Sequence, residues 1–221
     1  RSPVAALLLA TAALSSAFSP ALAADTTLAE LRTELLVGDL VFIRVPALPF
    51  RKVAAATNSW TNHVGVVVET AAGDAADVLI AESTFPRARR STLARFVARS
   101  EAGRVAVMRR DAPLTAAQGD ALRRAADARM GIAYDTGFDL HSPRQFCSRF
   151  AREVIEEATG DSLGEVETFA HLLERNPSAG LGFWRVWYFG RIPWSRETVT
   201  PASLLTSPLV HTAFDGQVVA R

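Results

Sequence analysis

The stretch "SPRQFCSRFAREVIEEA", residues 142–158, holds the only cysteine of the 221-residue chain, and its pattern decides how the rest is read. Phe146, Phe150, Ala151, Val154, Ile155 and Ala158 recur at the intervals of one buried helix face. Ser142, Pro143 and Gln145 suit the N-cap, first and third positions of a capping box, which predicts a helix over 143–158. Cys147 then falls in the first turn or so. There the unpaired amides present partial positive charge, and Arg144 and Arg149 add to it. The plain alternative is a buried cysteine that only packs. Position, more than identity, makes Cys147 a candidate nucleophile.

A thiol nucleophile needs a base within hydrogen-bond reach, usually histidine, and a third group to hold the imidazole. Four histidines are available. His141 precedes the cap of the cysteine helix, His171 sits beside Leu172 and Leu173 at a packing edge, and His211 lies in an apolar tail. His63, in "TNHVGVVVE" (61–69), stands where a polar turn enters a buried strand, a position from which rigid scaffolds offer catalytic groups. Gly65, two residues on and on the same strand face, leaves room for a neighbouring backbone or ligand. Glu82 ends the apolar run of "VLIAEST" (78–84), where a carboxylate requires a partner. That partner is either the His63 imidazole, the reading favoured here, or an arginine of 87–90.

The remaining elements surround these motifs. Residues 28–37 predict a short amphipathic helix. Strands are expected over 40–45, 63–69, 76–83 and 103–110, with "AAGDAA" (71–76) as a turn and Pro46 and Pro49 breaking the first strand. Thr115 and Gln118 have capping-box spacing, so a helix should run from Ala116 to about Met130. Residues 132–141 are a loop carrying Tyr134, and 167–175 a further helix. The pattern is α+β, an antiparallel meander with helices collected to one side. "FWRVWYFGRIPW" (183–194) is expected as a strand or loop that wraps the core or lines a hydrophobic substrate groove; contact with a membrane interface is the remaining option.

Composition narrows the class. Hydrophobic residues make up 49% and charged residues 21%, a globular balance. With 24 basic and 23 acidic residues the net charge is +1, which gives no global attraction to nucleic acid. "RARRSTLAR" (87–95) reads as a solvated face with a helix end. The N-terminal "RSPVAALLLATAALSSAFSPALA" has the charge, apolar run and A-x-A site of a cleavable signal, so residues 1–23 are expected to be removed and 24–221 to form one domain. Its apolar run is too short to span a bilayer. Export to the periplasm or outside makes a lone cysteine notable, because it has no internal disulfide partner.

Taken together, "GDLVF" (38–42), "SWTNHVGVVVE" (59–69), "AEST" (81–84), "SPRQFCSRF" (142–150) and "GRIPWSRETVTPASLL" (190–205) resemble the circularly permuted NlpC/P60 papain-like hydrolases, and among them the YebB/YiiX-type permuted amidases. The resemblance implies a nucleophile helix packed on an antiparallel sheet. It implies Cys147 as nucleophile, His63 as base and Glu82 as orienting residue, with no cofactor or metal. It departs from the family pattern at Arg149, where an acidic residue often follows the serine, and at Asn62, where a small hydroxyl residue is expected. The expected function is a secreted cysteine amidase or peptidase working through an acyl-enzyme thioester on a cell-wall or other peptide amide. A lipid acyl hydrolase or transferase and a non-catalytic binding protein are the alternatives. Backbone amides at the helix start are natural oxyanion donors, and Tyr134, Ser148 and Asn62 are candidates to assist there or to contact substrate.

Overall fold

Leu40–Ile43 and Val64–Val68 are runs of consecutive buried residues with no alternation between wet and dry faces. A strand of that kind is covered on both sides, and the computed structural model, which describes residues 24–71 and 77–219, shows what covers it. The expected signal segment and most of the 71–76 turn lie outside the described residues.

The chain opens with β1 (Ala24–Thr27), α1 (Leu28–Glu34), β2 (Leu40–Ile43), α2 (Leu48–Ala56) and β3 (His63–Glu69). Next come β4 (Leu79–Glu82), β5 (Arg89–Thr92), α3 (Leu93–Val97), β6 (Arg104–Arg110) and α4 (Ala116–Asp127). The last part holds α5 (Cys147–Thr159), β7 (Val166–Thr168), α6 (Phe169–Arg175), α7 (Leu181–Trp187), β8 (Glu197–Val199), α8 (Pro201–Leu205) and β9 (Val210–Val219). The main sheet has seven strands in the order β1-β9-β6-β2-β3-β4-β5, antiparallel except for the β1–β9 pair, and β7 with β8 forms a small second sheet.

Of the four expected strands only β2, β3 and β4 follow one another as a meander, which the unexpected β5 extends; β6 returns to the free side of β2. The helices are not collected to one side. Phe42, Val64 and Val66 pack with residues of α4 and α5 in one core, while Val41, Ile43, Val67 and Ile80 turn to α1 and α3 in a second. Alternation along each strand sends successive side chains to opposite layers, and both layers must be dry to bury these runs.

Several local expectations shift. Pro49 does not merely end a strand: it occupies the first turn of α2, where a missing N–H costs no helical bond. The segment 87–95 supplies the edge strand β5 and then α3, capped by Thr92. The aromatic stretch 183–194 is not a strand; its first part is α7, held by i, i+4 ring pairs, Phe183–Trp187 at 5.4 Å and Trp184–Tyr188 at 6.1 Å. Thr115 and Gln118 form the expected reciprocal cap of α4. Among the described residues no helix is long and apolar enough to cross a membrane.

Candidate active site

His63 opens β3 and Glu82 closes β4. The register sets Val66 opposite Ala81 and Val67 opposite Ile80. Continued by one pair, it sets Gly65 opposite Glu82, so His63 is the diagonal neighbour of Glu82 on the same face. Gly65 makes the packing behind them feasible. A Cβ there would lie 2.4 Å from Ile80 Cγ2 and 2.9 Å from Phe96 Cε2. Its absence lets Phe96 lie against the imidazole with ring centroids 5.6 Å apart. The room left by Gly65 is taken by the Ile80 and Phe96 side chains and by the neighbouring backbone, the Ala81 carbonyl oxygen standing 3.2 Å from where that Cβ would be.

The imidazole Nε2 and Glu82 Oε2 are 2.6 Å apart, and both side chains are fully buried. Glu82 also accepts from the Ser91 hydroxyl at 2.7 Å and from Arg99 Nη2 at 2.7 Å to Oε2 and 2.8 Å to Oε1. Arg89, the arginine of 87–90 that approaches, stands back at 3.6 Å. The two partners weighed for Glu82 are thus both present, but the close cation is Arg99, just beyond α3. Burial alone would raise the carboxyl. The bond to His63 and the charges of His63 and Arg99 outweigh it and hold Glu82 down at about 2, so it is an anion at neutral pH.

With Nε2 committed to Glu82, Nδ1 is the nitrogen left for Cys147. It makes no hydrogen bond of ordinary geometry in the resting site, yet the sulfur is near enough to govern the ring. Burial would lower the imidazole. The side chain of Cys147, then that of Glu82, and the charges of both raise it from 6.5 to about 9. Tyr134 joins the same centre: burial, then the charge and side chain of Cys147, push its phenol well above the ordinary 10, so it remains a protonated donor beside the sulfur.

Cys147 is the first residue of α5, not a member of a turn already begun. The expected start at Pro143 fails because residues 143–146 are held otherwise. Gln145 bridges in parallel to Tyr134, its N–H donates to Ala133 O at 3.1 Å, and its carbonyl accepts from Asp135 N at 2.7 Å and from Ser83 Oγ at 2.9 Å. Ser142 Oγ accepts from Arg144 N in a local turn and caps nothing. Phe146 is the extended N-cap, and it supplies no side-chain acceptor. The first amides of the helix, those of Cys147 and Ser148, therefore have no acceptor within the helix and no cap.

Other candidates are placed elsewhere. Asn62 spends its amide on the Val45 backbone, accepting at 2.8 Å and donating at 3.0 Å, and Ser148 Oγ donates to Val199 O at 2.8 Å. Neither side chain is free to act as an oxyanion donor: one pins a strand end, the other docks α5 on β8. Arg149 turns away to Glu153 and to the carbonyls of Ser142 and Arg144. His141, His171 and His211 lie near Glu197, Glu167 and Asp111, respectively. Arg99, Ser91 and Phe96 were not legible as site residues. Nothing in their local pattern points to Glu82 or His63, and only tertiary packing brings them there.

Over residues 34–213 the chain matches the family model described as permuted papain-like amidase enzyme, YaeF/YiiX, C92 family. The chain belongs to that family. It is 23% identical over 175 residues to the uncharacterised protein YiiX of Escherichia coli K12, covering 79% of this chain and 84% of YiiX. A crystal structure of YiiX from E. coli O157:H7, described as a metalloprotein, superposes with a TM-score of 0.75 at 22% identity, covering 83% of this chain and 99% of that one. In this YaeF/YiiX family member, among the described residues, no three His, Cys, Asp or Glu side chains converge as a metal-binding group.

The raised imidazole fixes the expected pH dependence of amide cleavage. Should His63 be the group that protonates a departing amine, as proposed below, its raised value keeps that proton available up to about pH 9. kcat/KM should therefore hold through neutral pH and fall about tenfold per unit above pH 9. A rate profile in which activity is already lost through pH 6.5 would contradict this geometry.

Proposed function

We propose that the protein is a cysteine amidase, exported from the cytoplasm, that uses Cys147 as nucleophile, His63 as acid and base, and Glu82 as the group that orients His63. The observation that carries this reading is the buried Glu82–His63 pair at 2.6 Å, with the Cys147 side chain acting on the same imidazole from the uncapped start of α5. The thiolate attacks the amide carbonyl, and the developing oxyanion is met by the Cys147 and Ser148 N–H groups, with the Tyr134 hydroxyl as a further donor. His63 gives its proton to the leaving nitrogen as the C–N bond breaks. Water, deprotonated by His63, then adds to the thioester, the C–S bond breaks, and sulfur and imidazolium are restored.

The test is acylation of Cys147. Incubated with small activated anilides and quenched in acid, the protein should gain the mass of one acyl group on the peptide bearing Cys147, and Cys147→Ala should gain none. Rapid alkylation of Cys147 by iodoacetamide at neutral pH should accompany it. A native protein whose thiol is neither acylated nor alkylated is a binding protein on this scaffold, and the amidase reading fails.

A further inference from the structure

With Cys147 as a thiolate, His63 as an imidazolium and Glu82 as a carboxylate, two anions face one cation in a place where the side chains of His63 and Glu82 have no contact with solvent. Once His63 has given up its proton and sulfur holds the acyl group, Glu82 is the one charge left of the three. In both states a single negative charge is unbalanced, and a buried charge without a partner is costly. Arg99 supplies the missing positive charge in each.

Its guanidinium is held in place from several sides. Nη2 donates to Oε2 of Glu82 at 2.7 Å and to Oε1 at 2.8 Å. Oε2 also meets His63 Nε2, and Oε1 the Ser91 hydroxyl, so each oxygen serves two donors, about the full capacity of a carboxylate. The guanidinium carbon stands 4.9 Å from the centre of the Phe96 ring, the same ring that lies against the imidazole. Glu101, two residues on, would compete for Arg99, but it is held by Arg44 at 2.7 Å and Arg51 at 2.8 Å. Among the described residues, the other charged or titratable side chains that face Glu82 are His63 from β3 and Arg89 from β5. Arg89 stands 3.6 Å away with nearly half its side chain in water. Cys147, opening α5, acts on His63, and Tyr134, in the loop before α5, acts with Cys147.

Resting on the amidase reading above, we propose that Arg99 is a positioning residue that acts through Glu82: it is the permanent counter-charge that keeps this carboxylate ionised while His63 gains and loses its proton. The proton on Nε2 then stays on the ring, bonded to Glu82, through the whole cycle. Nδ1 does the exchanging: it gives a proton to the leaving nitrogen and takes one from the water that opens the thioester. Without Arg99 the acyl-enzyme holds an unbalanced buried anion, and the Glu82–His63 pair takes up a proton to neutralise it. Whether that proton makes an imidazolium or a carboxyl group that donates to Nε2, Nδ1 keeps its hydrogen and has no lone pair to offer the water.

The test is the hydrolysis of acyl-Cys147, formed from a small activated anilide, freed of excess substrate and followed by mass spectrometry against pH. Hydrolysis needs the pair without its extra proton, so the rate falls on the acid side of one midpoint. Loss of a cation this close raises the affinity of the pair for that proton. The midpoint in Arg99→Gln should therefore move up by about one to three pH units, the usual effect of one neighbouring charge. Arg99→Met, a second neutral variant whose side chain still covers Phe96, should move it the same way. Arg99→Lys retains the charge and should stay near the wild type. A midpoint is read within one protein and does not depend on the fraction folded. The wild-type midpoint in the neutral variants, or a displacement as large in Arg99→Lys as in Arg99→Gln, overturns the role given to Arg99 and leaves the amidase standing. Wild-type protein that forms no acyl-Cys147 overturns both.

Discussion

Glu82→Ala is expected to destabilise the protein by about 3–5 kcal/mol, the usual cost of removing one partner of a buried charged pair. At this chain length that lowers the melting midpoint by roughly 6–20 °C. The reason is the number of groups that converge on one carboxylate: His63, Ser91 and Arg99 all donate to it within 2.8 Å. Arg99 keeps about a quarter of its side chain exposed and can recover water, whereas His63 is wholly buried and cannot. Glu82→Gln separates charge from shape, because it keeps an acceptor for the imidazole and loses the anion. It should be less destabilised than Glu82→Ala.

The pH dependence identifies the group. The folded value of about 2 lies below the ordinary 4.5, so the stabilisation is complete above pH 4.5 and disappears as pH falls from there towards 2. Melting curves of the wild type should show that acid limb, and those of Glu82→Gln should lack this residue's share of it. Equal midpoints for wild type and Glu82→Ala would remove the carboxylate from the centre of the site.

His63→Ala should reduce kcat/KM for amides by about 10²- to 10⁴-fold, the range for loss of a positioned acid–base group. Alkylation of Cys147 should slow in the same variant, and the fall in activity above pH 9 should vanish from what remains. The effect on stability should be smaller than that of Glu82→Ala, since the Glu82–Arg99 pair persists. Wild-type rates in His63→Ala would mean that another base serves the thiol. The other three histidines lie beside carboxylates away from it.

Much of this site is written in local pattern. His63 at the mouth of an apolar strand, Glu82 at the end of another and Cys147 near a helix start were each visible without a fold, because burial and periodicity leave marks within a few residues. What was not visible depends on distance along the chain. Arg99 is far from Glu82 in sequence and reaches it only because β5 and α3 fold back beneath β4. The capping-box spelling at Ser142 and Gln145 was overruled by the Gln145 bridge to Tyr134, a tertiary pairing stronger than a local preference. Cover on both sheet faces was legible in the unbroken run "VGVVV", and the aromatic helix in the four-residue spacing of its rings. The β-propensity of aromatic residues masked the second of these signals.

The parallel pairing of β1 with β9 bears on the order in which the residues of the proposed site occur. Ala24 lies opposite Gly216 and Thr27 opposite Val219, so the strands that begin and close the described chain are neighbours, with Ala24 and Val219 offset by about 10 Å along the pair. A backbone whose outer strands meet in this way is nearly a ring. On a ring, whether histidine or cysteine comes first is set by where the loop is opened and not by the chemistry between them. That one sheet can bring the same side chains together under more than one chain order is therefore a property of the path of the backbone.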